Sequence, residues 1–379
     1  MKIEQIKWTS TNGWDSSKPG MLGKTAQLLI VFGSTSLLKN RIQLDELHNM
    51  YPNAIFWGCS TAGEICDKFV TDESLSVTAV EFEKTTIKVV DTKINAMTES
   101  YRVGEYLSAN LPKEGLRHVL VLSDGLQING SELVSGLVKN LPKEVKITGG
   151  LSADGGRFQE TYVFRNGIPE RDVAVVLGLY GENLTIGYGS LGGWDPFGPE
   201  RLITKSRGNI LYELDNKSAL DLYKQYLGNH AVGLPATGLL FPLCVRTNEH
   251  ETGVVRTILA IDEELQTMTF AGDVHEGEYA RLMKANFDRL IDGARGAAQI
   301  CCDALGEHKS ELAILISCVG RKMVLKQRVE EEVEIVKEVL GEHVVQTGFY
   351  SYGEISPFTY NEKCELHNQT MTITTISEK

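Results

Sequence analysis

The apolar positions of the chain fall into short runs separated by stretches of helical spacing. "LLIVFGST" (28–35) has the character of a buried strand, "QLDELHNMY" (43–51) of a helix, and "AIFW" (54–57) of a second strand that runs into "GCSTAGEI" (58–65). Such a β-α-β unit predicts parallel pairing, because a crossover helix carries the chain back to the same end of the sheet. The pattern returns twice. "VLVLSDGL" (119–126), the helical "SELVSGLVKNL" (131–141) and "VKIT" (145–148) lead to "GGLSADGG" (149–156). "AILISCVG" (313–320), the helical "VEEEVEIVKEVL" (329–340) and "VVQT" (344–347) lead to "GFYSYGEI" (348–355).

The second-strand exits align. Gly58, Gly149 and Gly348 open them, and Thr61, Ser152 and Ser351 follow three residues on. The first and third copies close with Gly-Glu-Ile, at 63–65 and 353–355. The middle copy departs, with Asp154-Gly155. A further strand run follows each exit, at 74–82, 172–180 and 370–377. Strand-turn-strand segments followed by helices are expected at 201–228 and 254–283. Repeats this long predict duplicated α/β modules, not a solenoid. The Gly- and Pro-rich "LGNHAVGLPATG" (227–238) marks a boundary between residues 1–228 and 229–379. The expected fold is α/β: two domains built from duplicated β-α-β modules with mixed, partly parallel sheets.

Composition narrows the function. Of 379 residues, 42% are hydrophobic and 23% charged, the balance of a globular protein. The net charge of −12 argues against nucleic acid or an anionic membrane as partner. No run reaches the ~18 apolar residues of a membrane span, and the N-terminus lacks the apolar core of a signal peptide. The cysteines, at 59, 66, 244, 301, 302, 318 and 364, are odd in number and form no CxxC. Reduced thiols in a cytoplasm follow. The Cys301-Cys302 pair falls in a helical pattern and reads as core packing.

In a parallel sheet, ligands bind beyond the carboxyl ends of the strands, where every repeated motif lies. Tyr350, Tyr352 and Glu354 suit the wall of a small-molecule pocket, since an aromatic with a polar tip serves there. The alternative is a Glu that only holds its own turn. "SCVGRK" (317–322) sets Cys318 and Arg321 at a neighbouring exit. Arg321 is either a carboxylate clamp or half of a salt bridge. Cys318 is either a nucleophile or buried packing. Arg246 and Arg256 flank "TNEHETG" and are candidates for the same cavity. No histidine has a metal-binding spacing, but a haem iron needs only one proximal ligand. His275 in "GDVHEG", between a strand and an expected helix start, is the candidate, with His230 and His250 in loops next; His367, before "NQTMTITT", reads as a cap or a bond within the sheet. Walker A, GxGxxG, GxSxG and kinase signatures are absent, and the expectation is a binding protein, not an enzyme.

"GCSTAGEI", "GFYSYGEISP", "GNILYELDNKSALDLYKQYLG", "AGDVHEG", "SCVGRK" and "LHNQTMT" resemble stretches of the FIST-domain family, bacterial sensory modules with N- and C-terminal parts. The resemblance runs from about residue 25 to the end. It implies signal transduction and small-ligand binding, with amino acids among the suggested ligands. Free-standing members include nitric oxide sensing proteins of the NosP type, which bind haem and regulate a partner histidine kinase. On that resemblance the expected function is a haem-based nitric oxide sensor, with His275 as the iron ligand and a separate sensor histidine kinase as partner. Many members carry proline where this chain has His275. The alternatives are a haem-free sensor of an amino acid or other metabolite and, last, a thiol enzyme using Cys318.

Overall fold

A computed structural model describes residues 1–16, 19–248, 253–306, 308–357 and 363–379. His250 lies outside the described residues. The three copies share one plan. In each, the first and second strands run parallel and the third lies antiparallel on the first strand's other side. These sets are Leu28–Gly33, Ile55–Ser60 and Ser74–Glu81; Leu116–Ser123, Lys146–Leu151 and Val173–Tyr180; and Leu312–Cys318, Val345–Ser351 and Met371–Glu378. A fourth strand flanks each third one: Lys2–Thr9, Thr86–Lys93 and Leu184–Leu191.

The first strands are continuous apolar runs because both of their faces are buried. Leu28, Ile30 and Phe32, with Leu120, Leu122, Leu312, Ile314 and Ile316, point into one central core. The alternate residues point outward under the crossover helices: Leu29 and Val31 in one cluster, Val119, Val121, Ala313 and Leu315 in another. Sheet pairing then fixes the opening glycines. Gly58, Gly149 and Gly348 sit opposite Val31, Val121 and Leu315 in the parallel ladders. A Cβ at these positions would lie 1.8, 1.9 and 1.9 Å from the facing carbonyl oxygens. Only glycine permits that approach.

The copies are not closed units. After its exit turn each sends a short strand into a neighbour's sheet. Glu64–Cys66 pairs with the second strand of the third copy, Gly353–Pro357 with that of the middle copy, and Val163–Arg165 with that of the first. Ile65 lies opposite Gly348 and Ile355 opposite Gly149, so the motif's isoleucine meets the next copy's opening glycine. The three sheets thereby close a ring around the central core.

Between Leu184–Leu191 and the helix Phe287–Leu305 the chain leaves the ring. It builds an antiparallel eight-stranded layer within Asp195–Lys284, with its own core and the helix Ala219–Leu227. The segment "YARLMK", expected to be helical, is the strand Tyr279–Lys284. Ala280 and Leu282 enter the core while Arg281 stays exposed, a period of two that overrides the local helix propensity. The result is the mixed α/β architecture expected from the sequence. Among the described residues no helix is long and apolar enough to cross a membrane.

Candidate functional site

Glu64 and Glu354 perform the same task. The Glu64 carboxylate accepts from the Thr61 hydroxyl, and from the Ser74 amide and hydroxyl at 3.1 and 2.6 Å. Glu354 accepts from the Ser351 hydroxyl at 2.6 Å, and from the Thr370 amide and hydroxyl at 3.1 and 3.0 Å. Each carboxylate ties an exit turn to the start of the third strand. Burial pushes the carboxyl of Glu64 up to about 7 and that of Glu354 up to about 8, against the pull of these hydrogen bonds. In the middle copy Asp124 takes over. It accepts from the amides of Leu126 and Gln127, at 2.8 and 2.7 Å, and from the Thr161 hydroxyl at 2.7 Å. Asp124 is equivalent to Ser34 and Cys318, since the amides of the three bond to the carbonyls of Val173, Ser74 and Thr370, each at or just before the start of a third strand.

Arg321 and Tyr350 converge away from solvent on a residue that sequence reasoning did not single out. Glu332, buried on the helix Val329–Leu340, accepts from Arg321 Nε and Nη2 at 3.0 and 2.7 Å, from Tyr350 at 2.7 Å and from Ser317 at 3.0 Å. The same guanidinium donates to the carbonyls of Gly192, Gln369 and Leu290. Arg321 is 0% exposed and its donors are committed to protein acceptors, so of its two sequence readings the ion pair is the one formed here. Glu332 was hidden because it follows Glu330 and Glu331, and such a run reads as a solvated helix start.

Tyr352 and Cys318 do meet at a cavity. It holds about 550 Å³ and lies between the exits of the middle and third copies and the inserted layer. The Tyr352 ring stacks on Phe158 with centroids 4.4 Å apart and planes at 11°. Its hydroxyl donates to Asp154 and accepts from the amides of Asp154 and Phe158, both at 3.3 Å. The opposite wall comes from the inserted layer, including Pro235, Leu239, Ile258 and Phe270. Among the described residues the cavity is lined without a Lys, Arg, His, Asp or Glu side chain. Among the described residues the buried hydroxyl of Thr257 in its wall has no partner, and behind Gly320 the side-chain amide of Gln369 is likewise buried and unpartnered. Burial and the neighbouring Glu354 hold the Cys318 thiol far above its ordinary range, which disfavours the thiolate that a nucleophile needs.

His275, Arg246 and Arg256 come together elsewhere. They line an open groove of about 1020 Å³ between the helix Gly130–Lys139 and the inserted layer. Arg246 is held bidentately by Glu200 at 2.6 and 2.8 Å. His275 is exposed, and its amide donates to Glu278 at 3.0 Å. It stands between two strands, not before a helix. His367 is buried with Nε2 2.6 Å from the Ser356 carbonyl, and His230 lies in a short 3-10 helix. The inserted layer supplies walls to both compartments. Sequence reasoning could not place it, because its loops carry no repeat.

A family model of the FIST N domain matches residues 27–217, and one of the FIST C domain matches 219–357. An uncharacterized protein of Methanocaldococcus jannaschii is 24% identical over 369 residues, covering 86% of this chain and 69% of its own. Among solved structures the chain is similar to a cyanuric acid hydrolase from A. caulinodans, with a TM-score of 0.40 and 9% identity, covering 100% of this chain and 98% of that one. It is also similar to a chorismatase, with a TM-score of 0.35 and 10% identity, covering 99% and 98%.

Proposed function

Because this chain belongs to the FIST family, whose domains are sensory and signal-transduction modules, we propose that it is a sensor of a neutral, largely apolar small molecule held in the Cys318–Tyr352 cavity. The observation that carries this reading is the lining: apolar and aromatic walls and, among the described residues, no charged side chain and no partner for the Thr257 hydroxyl. A buried hydroxyl without a partner costs about 1–3 kcal/mol, which a ligand with a complementary polar atom recovers. An amino acid suits this cavity less, because its two charges find no counter-charge there. The signal passes to a separate partner, in this reading a histidine kinase, which must bind the liganded and free states with different affinity.

Thermal unfolding tests the proposal with indole and phenol as neutral probes and glycine and glutamate as charged ones. The neutral probes raise the melting temperature of the wild type. Ala271→Trp, which fills the cavity, abolishes the rise. A rise with amino acids alone overturns the reading.

The groove favours a second reading, because it gathers His275, Lys143, Lys146 and Arg256. A haem requires one imidazole and cations for its propionates. His275 fits the first role, and Lys143 and Lys146 fit the second. When bound, the iron supplies the site that nitric oxide ligates. Adding haem to the protein and recording its absorption spectrum tests this. A Soret band lost in His275→Ala supports it, and a protein that takes up no haem overturns it.

A further inference from the structure

Arg256 is the anomaly of the groove. It is 8% exposed, yet its guanidinium meets no carboxylate within ion-pair distance among the described residues. Two backbone carbonyls hold it instead: Nε donates to Asp273 at 3.0 Å and Nη1 to Leu366 at 2.8 Å. Gly272 lies flat against it, where a Cβ would come 3.0 Å from Cζ. A cation taken from water without a counter-charge is expensive, and proteins pair such groups. Here the carbonyls fix the orientation of the guanidinium, while Glu365, Asp273 and Glu278 act on its charge only from beyond ion-pair distance, so Nη2 faces the open groove with no direct partner among the described residues.

The surroundings define what would compensate it. Val134, Val138, Leu141, Val245 and Val254 give the groove an apolar wall. Lys143 and Lys146 add positive charge on one side. Asp273, Glu278 and Glu365 also line it, and they oppose a doubly charged anion. With Nε and one Nη1 proton taken, the guanidinium keeps Nη2 for a planar, singly charged acceptor. We propose that Arg256 anchors the carboxylate of a monocarboxylic acid whose apolar part lies along the helix Gly130–Lys139. This site is separate from the Cys318–Tyr352 cavity, and it requires no haem.

The test is calorimetric titration of the full, haem-free chain with octanoate, 1-octanol and octyl phosphate. Octanoate binds saturably, and at least about tenfold more tightly than octanol or octyl phosphate. Arg256→Gln, folded by circular dichroism, loses at least about tenfold of the octanoate affinity and leaves octanol unchanged. Val138 is 44% exposed, so Val138→Asp places a negative charge on the groove wall without disturbing the core. That variant weakens octanoate similarly and decides the matter should Arg256→Gln not fold. No saturable octanoate binding overturns the proposal. So does octanol or octyl phosphate binding as tightly as octanoate, or octanoate affinity unchanged in either folded variant.

Discussion

Tyr352 and Asp154 stand 198 positions apart in the chain, and the phenol of one donates to the buried carboxylate of the other. The bond crosses from the third copy to the middle one. Asp154 also accepts from the amides of Phe158, Gln159 and Glu160, at 2.8, 2.9 and 3.1 Å. Burial raises its carboxyl, but Tyr352 and these amides outweigh that and hold it below its ordinary value. Tyr352→Phe is expected to cost about 1–3 kcal/mol in urea unfolding. A double-mutant cycle with Asp154→Asn should show coupling of at least about 0.5 kcal/mol. Additive effects would mean the bond holds nothing together.

Arg321 gives a prediction of different character. Arg321→Met leaves Glu332 buried beside Tyr350 without its cation, and the expected loss is about 3–5 kcal/mol. Binding at the Cys318–Tyr352 cavity, measured with indole on the folded fraction, should be unchanged. Loss of binding with full stability would return Arg321 to the role of a ligand clamp.

The opening glycines predict a triplet. Gly58→Ala, Gly149→Ala and Gly348→Ala each drive a methyl into a facing backbone carbonyl. Each is expected to destabilise by about 1–3 kcal/mol or more. The costs should be similar, because the three contacts are equivalent. One tolerated substitution would break that equivalence.

The pH dependence follows from Glu64 and Glu354. Their folded carboxyls titrate near 7 and 8, both raised by burial, above an unfolded value of about 4.3. Between these values the folded chain binds more protons than the unfolded chain. Their contribution is therefore full below about pH 4.3 and declines as pH rises, until it is gone above about pH 8. Glu354→Gln removes one of the two titrations. It should flatten the decline between pH 5 and 8 by up to about 1.4 kcal/mol per pH unit. A decline of unchanged slope would show that Glu354 does not titrate in this window.

The repeats were legible because hydrophobic period and exit motif recur together. "VEEEVEIVKEVL" marks the helix Val329–Leu340 to the residue, and the strand runs fall within a few residues of their observed limits. What the sequence hid was partnership. The motif Gly-Glu-Ile marks an exit turn but not that Glu64-Ile65-Cys66, all three buried, pair with a strand some 280 positions away. The groove is legible only in part: the sequence sets Arg246 and Arg256 on either side of "TNEHETG", but the cavity expected for them is that of Cys318 and Tyr352, which they do not line. Phe158 and Thr257, at the cavity, are not legible, because single polar or aromatic residues in unrepeated segments carry no period.

The exchange of exit strands bears on how the molecule comes apart. No sheet belongs wholly to one copy, so none can peel away without stripping an edge from a neighbour, and the neighbour's loss reaches the third. Like three hands each gripping the next wrist, the ring releases everywhere or nowhere. Hydrogen exchange should therefore find the slowest amides of Leu28–Gly33, Leu116–Ser123 and Leu312–Cys318 opening with one shared free energy, while the inserted layer opens earlier and alone.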